Sequence, residues 1–234
     1  LHTLLESTHV NKGNYSKVWE VLKVCDADPK NSQNVICIYT GQSIPIANQD
    51  KGTSGDNIWN REHLWPKSKG FKSDSMTAHN DCHHLHASEK NINNYRASLD
   101  FGEVDSPTKT DNYGNCWNDT YFEPRDEVKG DIARSLFYMV ARYDGDICGT
   151  CTLDLELVDG SVTSSMITSG TVGRLGDLTT LLKWHYADPV DENEKRRNEL
   201  VYSYQGNRNP FIDHEEFVSY LYPKLVGKYT DTSN

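Results

Sequence analysis

Apolar residues along this chain of 234 positions change their spacing from one segment to the next, and the spacing predicts the elements. Over residues 15–25, Val18, Trp19, Val21, Leu22 and Val24 interleave with polar positions as on an amphipathic helix, opened by Asn14 or Ser16. Residues 33–40 are β-branched and aromatic (Val35, Ile36, Ile38, Tyr39), stop at Gly41 and predict a strand. Turn-forming Pro, Gly, Asn and Ser make 43–56 a loop. Residues 58–63 predict a short strand ending at the Trp65-Pro66 corner, because the residue before a proline is pushed out of the helical region. Residues 71–80 read as loop, 82–87 as a second short strand and 89–99 as a short helix. Residues 101–122, rich in Asp, Asn, Gly, Thr and Pro, predict a long surface connection.

The clearest helix spans 127–143, where Val128, Ile132, Ala133, Leu136, Phe137, Val140 and Tyr143 form a stripe and Pro124 precedes the start. Residues 153–158 fit either a strand or an ordered extension. Further helices are predicted over 175–186, stopped by Asp188-Pro189, over 192–204 and over 214–222, with a polar tail from Gly227 that should fray. No repeat or linker divides the chain. Its pattern predicts an α+β, helix-rich single domain over residues 1–234, with a small antiparallel sheet.

Composition narrows the class. With 24 aromatic residues the chain is globular, and no apolar run approaches the roughly 18 residues of a membrane span. A start at Leu1 without a charged-then-apolar leader predicts a processed or trimmed product. Six spread cysteines fit disulfides in an oxidising compartment, for which Cys25–Cys37, Cys82–Cys116 and Cys148–Cys151 are one pairing; reduced, buried thiols are the other reading. A net charge of −10 argues against passive nucleic-acid binding, which needs clustered cations. Locally the balance differs: Arg61, Lys67, Lys69 and Lys72 form a basic strip with only Glu62 opposing them before Asp74.

Candidate chemistry gathers at Asn60-Arg61-Glu62-His63-Leu64-Trp65-Pro66 and in the stretch from Asp81 to Arg96. A neutral imidazole at His63 suits a general base that takes a proton from water. Glu62 and the side-chain carbonyl of Asn93 are hard oxygen ligands for a divalent cation. Singly, Glu62-His63 reads as a surface pair and Asn93 as a cap or turn residue; the three gain weight as a set. Neighbours on a regular strand face opposite ways, so Glu62 and His63 share a site only if the strand ends or bends there. Arg96 follows Asn93 by three and shares its helix face, which suits either a phosphate contact or an ion pair with Asp81 or Asp100. Arg134, on the apolar helix, is expected to pair with an acid, and Gln205 to Phe211 to pack against the site.

These stretches, with Asp81-Cys82-His83-His84-Leu85, Asn91-Ile92-Asn93-Asn94-Tyr95-Arg96, Phe101-Gly102-Glu103-Val104, Glu123-Pro124, Gly130-Asp131-Ile132-Ala133-Arg134 and Gln205-Gly206-Asn207-Arg208-Asn209-Pro210-Phe211, resemble the endonuclease I family of non-specific nucleases. The resemblance implies an embedded ββα-metal motif at about 57–99, with His63 as general base and Glu62 and Asn93 as metal ligands. It implies one divalent cation (Mg²⁺ foremost, Ca²⁺ or Mn²⁺ as alternatives) and cleavage of DNA, with RNA also open, to 5′-phosphate and 3′-hydroxyl ends. A secreted (extracellular or periplasmic) monomer that engages nucleic acid and no membrane is expected. Some members carry a phosphate-binding arginine between the Glu-His pair and the asparagine. Here 30 positions separate His63 from Asn93 with no arginine among them, so Arg61, Arg96 or a loop lysine is the substitute. Some members also place an acid where His79 stands.

Two rival readings remain. His79, Cys82, His83, His84 and His86 are dense enough for a zinc site, hence a zinc-dependent hydrolase. Acidity, disulfides and aromatics would suit a non-catalytic secreted binding module. The run from Asp144 is no EF-hand, since Leu155 stands where a bidentate Glu is needed.

Overall fold

The amphipathic stripe that begins at Tyr15 forms a helix over Tyr15–Cys25, opened by Asn14, whose side chain accepts the Lys17 N–H at 3.0 Å. Its buried side holds Val18, Val21, Leu22 and Cys25. This computed structural model describes residues 1–148 and 151–225, with side chains except at 147, 148 and 151. A further helix, His2–Thr8, precedes it, and Leu5 is the one residue it buries.

The predicted strand at 33–40 is observed as Asn31–Ile36. It stops early because the Gly41 N–H turns back onto the Cys37 carbonyl at 2.8 Å, with Gly41 in the left-handed region at φ +65°. Ser43–Pro45, read as loop, pairs with it antiparallel and fully buries Ile44.

Trp59–His63 and Leu85–Glu89 form an antiparallel pair in which Glu62 faces His86 and His63 faces Leu85. The second strand starts later than predicted because Asp81 holds a turn, accepting the His83 N–H on Oδ1 at 3.0 Å. A helix, Lys90–Arg96, follows without a linker: the last strand residue, Glu89, is its N-cap and accepts the Ile92 N–H at 3.0 Å. The unit is thus strand, strand, helix.

Two apolar clusters meet at this unit. Trp59, Cys82, Leu85 and Ala87 join Val18, Leu22, Val35 and Ile44 in one. Leu64, Trp65 and Ile92 join the larger one, built around the helix Lys129–Arg142. The region 101–122 is not only a surface connection. Asp100–Phe101, Lys109–Thr110, Cys116–Trp117 and Tyr121–Glu123 form a four-stranded sheet that buries Phe101, Trp117 and Phe122. Cys151–Leu157 is a strand between Asp144–Cys148 and Val172–Leu175. The helix predicted from 175 starts at Leu178, capped by Asp177, and the one from 192 runs over Glu192–Gln205 with an Asp191/Glu194 capping box. Residues 214–222 break into two short turns, Glu215–Phe217 and Val218–Leu221. The architecture is α+β and helix-rich, with several small sheets, antiparallel and mixed, the Trp59–His63/Leu85–Glu89 pair being one of the antiparallel ones.

The expected disulfides are corrected. Cys25, Cys37, Cys82 and Cys116 are free thiols, and the Cys148–Cys151 pairing lies outside the described side chains. Burial pushes the Cys25 thiol up to about 12, which makes it unreactive. The zone behind the strand pair is held instead by Asp81, whose carboxylate accepts from Tyr138 Oη at 2.7 Å, Tyr143 Oη at 2.8 Å and Gln205 Nε2 at 3.0 Å. Arg134 pairs with Glu194 through two bonds of 2.7 and 2.5 Å, the structural pair its position predicted.

Burial lowers the imidazoles of His83, His84 and His185 to about 4, against 6.5 in a free side chain. Between those values the unfolded chain binds more protons than the folded one, so stability is lost as pH falls from 6.5 towards 4. Thermal unfolding followed by circular dichroism should show a midpoint lower by on the order of 10 °C at pH 5 than at pH 7.5. An unchanged midpoint would mean that these rings are already protonated in the native fold.

Candidate active site

The end of the first strand and the face of the following helix enclose a cleft of about 230 Å³ lined by Glu62, His63 and Asn93, together with Tyr15, Arg61, Lys67 and Ser98. Glu62 and His63 reach one cleft because the strand ends at His63 and the chain then turns through Trp65 and Pro66. A larger cavity of about 550 Å³ holds His86 and Arg197 but none of Glu62, His63 and Asn93. Size does not locate the chemistry here.

His63 is buried, and its Nε2 lies 2.9 Å from the carbonyl oxygen of His79. A carbonyl only accepts, so Nε2 carries the proton and Nδ1 of the neutral ring keeps the lone pair. Burial, reinforced by His84 and His79, lowers the imidazole well below its ordinary value, which favours the unprotonated form a base requires. His79, which stands where some family members place an acid, therefore contributes through its backbone.

Glu62 is also buried. Its Oε1 accepts from Tyr39 Oη at 2.6 Å and lies 3.3 Å from Arg96 Nη1. Burial raises the carboxyl above its usual range, while Arg96 and Tyr39 pull it back. Both side-chain contacts fall on Oε1, and the His63 N–H also bonds the carboxylate, so the second oxygen has no side-chain partner and faces the cleft. Asn93 is oriented the same way: Nδ2 donates to Asn60 Oδ1 at 2.7 Å and more weakly to the Arg61 carbonyl at 3.4 Å, leaving Oδ1 free to coordinate. A carboxylate oxygen and an amide oxygen, both hard donors fixed by their other atoms, fit Mg²⁺, Ca²⁺ or Mn²⁺.

The expected phosphate contacts divide. Arg61 lines the cleft, stacked on Tyr15 with Nη1 donating to the Tyr15 carbonyl. Arg96 is corrected: it has no exposed surface and cannot touch substrate. It donates to the carbonyls of His63 at 3.0 Å and Leu64 at 2.6 Å, and its acidic partner is Glu62, not Asp81 or Asp100. Lys69 leaves the basic strip as well, since it is buried against Asp100. Lys67 remains exposed beside the cleft.

The histidine cluster does not converge. Nε2 of His83 meets the Asn207 carbonyl at 3.0 Å and Nε2 of His84 meets the Ala78 carbonyl at 2.8 Å. No group of three or more His, Cys, Asp or Glu side chains among the described residues is placed to hold a metal, which removes the zinc arrangement. Gln205 and Asn207 pack behind the strand pair and not on the cleft, Gln205 Oε1 accepting the Cys82 N–H at 2.5 Å and the Asn207 carbonyl meeting His83. Sequence reasoning missed Tyr15 and Tyr39, which reach the site from other elements with no local motif to mark them.

The family model described as Endonuclease I matches residues 1–216. An extracellular ribonuclease of Bacillus amyloliquefaciens is 44% identical over 227 residues, covering 95% of this chain and 72% of the relative. An extracellular ribonuclease of Bacillus subtilis (strain 168) is 42% identical over 216 residues, covering 89% of this chain and 68% of the relative.

Two substitutions should separate chemistry from support. His63→Ala should lower cleavage by about 10²- to 10⁴-fold. Arg96→Met leaves the Glu62 carboxylate buried without its cation and should cost about 3–5 kcal/mol in urea unfolding. Parental turnover in the first, or parental stability in the second, contradicts the assignment of that residue.

Proposed function

Because the chain belongs to the endonuclease I family, we propose that it is a divalent-cation-dependent endonuclease that hydrolyses RNA and DNA with little sequence preference. The carrying observation is that His63, with Nε2 tied to the His79 carbonyl, shares one cleft with the free oxygens of Glu62 and Asn93. His63 Nδ1 takes the proton of a water that attacks phosphorus. Glu62 and Asn93 would hold the cation, which would supply positive charge to offset the negative charge that develops as the bond to the 3′ oxygen breaks. Arg61 and Lys67 meet the backbone. Phosphate contacts carry no sequence information, hence the low selectivity.

RNA belongs in the substrate range because both relatives carry ribonuclease names, and those names also favour an extracellular site of action. Four free cysteines are compatible with that compartment: Cys25, Cys37 and Cys82 are buried, and Cys116 is pushed up to about 11 by burial and by Glu123. No helix among the described residues is long and apolar enough to cross a membrane. A non-catalytic binding module would have no use for a tautomer-fixed base beside two oriented oxygens.

Cleavage should be measured on single- and double-stranded RNA and DNA with Mg²⁺, Mn²⁺, Ca²⁺, Zn²⁺ or EDTA, and the ends of the products analysed. The expected result is cation-dependent cutting of both polymers to 5′-phosphate and 3′-hydroxyl ends. Cutting of RNA alone, in EDTA, to 2′,3′-cyclic phosphates would replace water by the neighbouring 2′-hydroxyl and overturn the mechanism.

A further inference from the structure

We propose that the rings of Tyr15 and Trp19 form a clamp that positions Arg61 for the substrate phosphate, so that the helix Tyr15–Cys25 takes part in nucleic-acid binding. The inference rests on the reading of the cleft as a phosphodiester site. Tyr15 and Trp19 are four apart and share one side of their helix. The Arg61 guanidinium carbon lies 3.4 Å from the Tyr15 ring centre and 4.3 Å from that of Trp19. The Arg61 side chain is thereby fixed at three points, two rings and the Tyr15 carbonyl that accepts from Nη1.

The clamp is itself braced. Trp19 meets Trp59 edge-on at 5.1 Å, and Trp59 is fully buried with Nε1 donating to the Ile46 carbonyl at 3.3 Å. Tyr15 meets His79 edge-on at 4.5 Å. Those rings do not move freely.

What this holds in place is a cation without a counter-ion. Among the described residues Arg61 has no carboxylate within ion-pair distance, unlike Arg96, Arg125, Arg134, Arg142, Arg174, Arg197 and Arg208. The adjacent Glu62 is committed to Arg96 and Tyr39. Arg61 Nε is buried with no partner, and Nη1 makes the one hydrogen bond that the side chain has within the described chain. A half-buried guanidinium is costly to keep unpaired, and its place on the cleft wall supplies the missing anion as a substrate phosphate. Stacking also accounts for arginine at this position, since a lysine ammonium has no planar group to lay against an aromatic ring.

The test uses fluorescence anisotropy with a labelled single-stranded oligonucleotide in EDTA, so that binding is read without cleavage, for the parent, Arg61→Ala, Arg61→Lys, Tyr15→Leu, Tyr15→Phe and the Tyr15→Leu/Arg61→Ala double variant. Arg61→Ala and Tyr15→Leu should each weaken binding by about tenfold, the loss of one well-made phosphate contact. Each should also make the dependence of log Kd on log salt shallower by about 0.7. Arg61→Lys should bind as poorly as Tyr15→Leu, Tyr15→Phe should bind like the parent, and the double variant should bind no worse than Arg61→Ala. A second full loss in the double variant would show that Tyr15 acts on something other than Arg61. A Tyr15→Phe as weak as Tyr15→Leu would assign the effect to the hydroxyl, and either result overturns the clamp. A parent that binds but never cuts with any cation would sink the nuclease reading alone.

Discussion

A guanidinium with no exposed surface joins the two halves of this site. Arg96 leaves its short helix, enters the space under the first strand and binds the carbonyls of His63 and Leu64 while pairing with the carboxylate of Glu62. Its ring contact, 4.4 Å from Phe101, ties the same group to the sheet beyond. The last strand residue, His63, and the first residue of the turn, Leu64, are thereby held where a regular strand would have carried on. The helix cannot shift against the strand without stranding a buried charge, so the oxygen of Asn93 and that of Glu62 keep a fixed relation.

From that joint the chemistry follows by orientation more than by residue identity. Each reactive group has one atom tied and one free. His63 is held through Nε2, Glu62 through Oε1 and Asn93 through Nδ2. Such pairs cost little reorganisation when a substrate arrives, which is where enzymes gain most of their electrostatic stabilisation. The partners that do the tying come from far along the chain: Tyr39 lies 23 positions before Glu62. They sit in three different places: Tyr39 in the turn after the strand Asn31–Ile36, His79 in the short helix Thr77–Asn80 and Asn60 in the site's own strand.

The same contrast explains what could be seen in the sequence. Long amphipathic elements were legible, because a stripe such as Ile132, Leu136 and Phe137 shows its period directly, whereas the pairing of a Glu-His strand end with a helix bearing Asn93 came with the family resemblance and not with the pattern. Two-residue strands such as Cys116–Trp117 are too short to show any alternation, so the sheet within 101–122 was not visible. Arg96 and Asn93 do share a face, as their spacing implied, but that face lies along the strand: Asn93 meets the Arg61 carbonyl and Arg96 meets those of His63 and Leu64. Lys69 counted as part of a basic strip because a sequence shows charge and not burial. The cysteines and clustered histidines misled for a related reason. Density along the chain is not convergence in space, and backbone carbonyls satisfy His83 and His84 separately.

The proposal stands or falls on whether Glu62 and Asn93 would hold one divalent ion, with His63 acting as a base and not as a ligand. Electron paramagnetic resonance of Mn²⁺ titrated into the parent and into Glu62→Gln, Asn93→Ala and His63→Ala measures this directly. The account predicts a single Mn²⁺ site that is weakened in the first two variants and retained in the third. Parental Mn²⁺ binding by Glu62→Gln and Asn93→Ala, or its disappearance in His63→Ala, would contradict it.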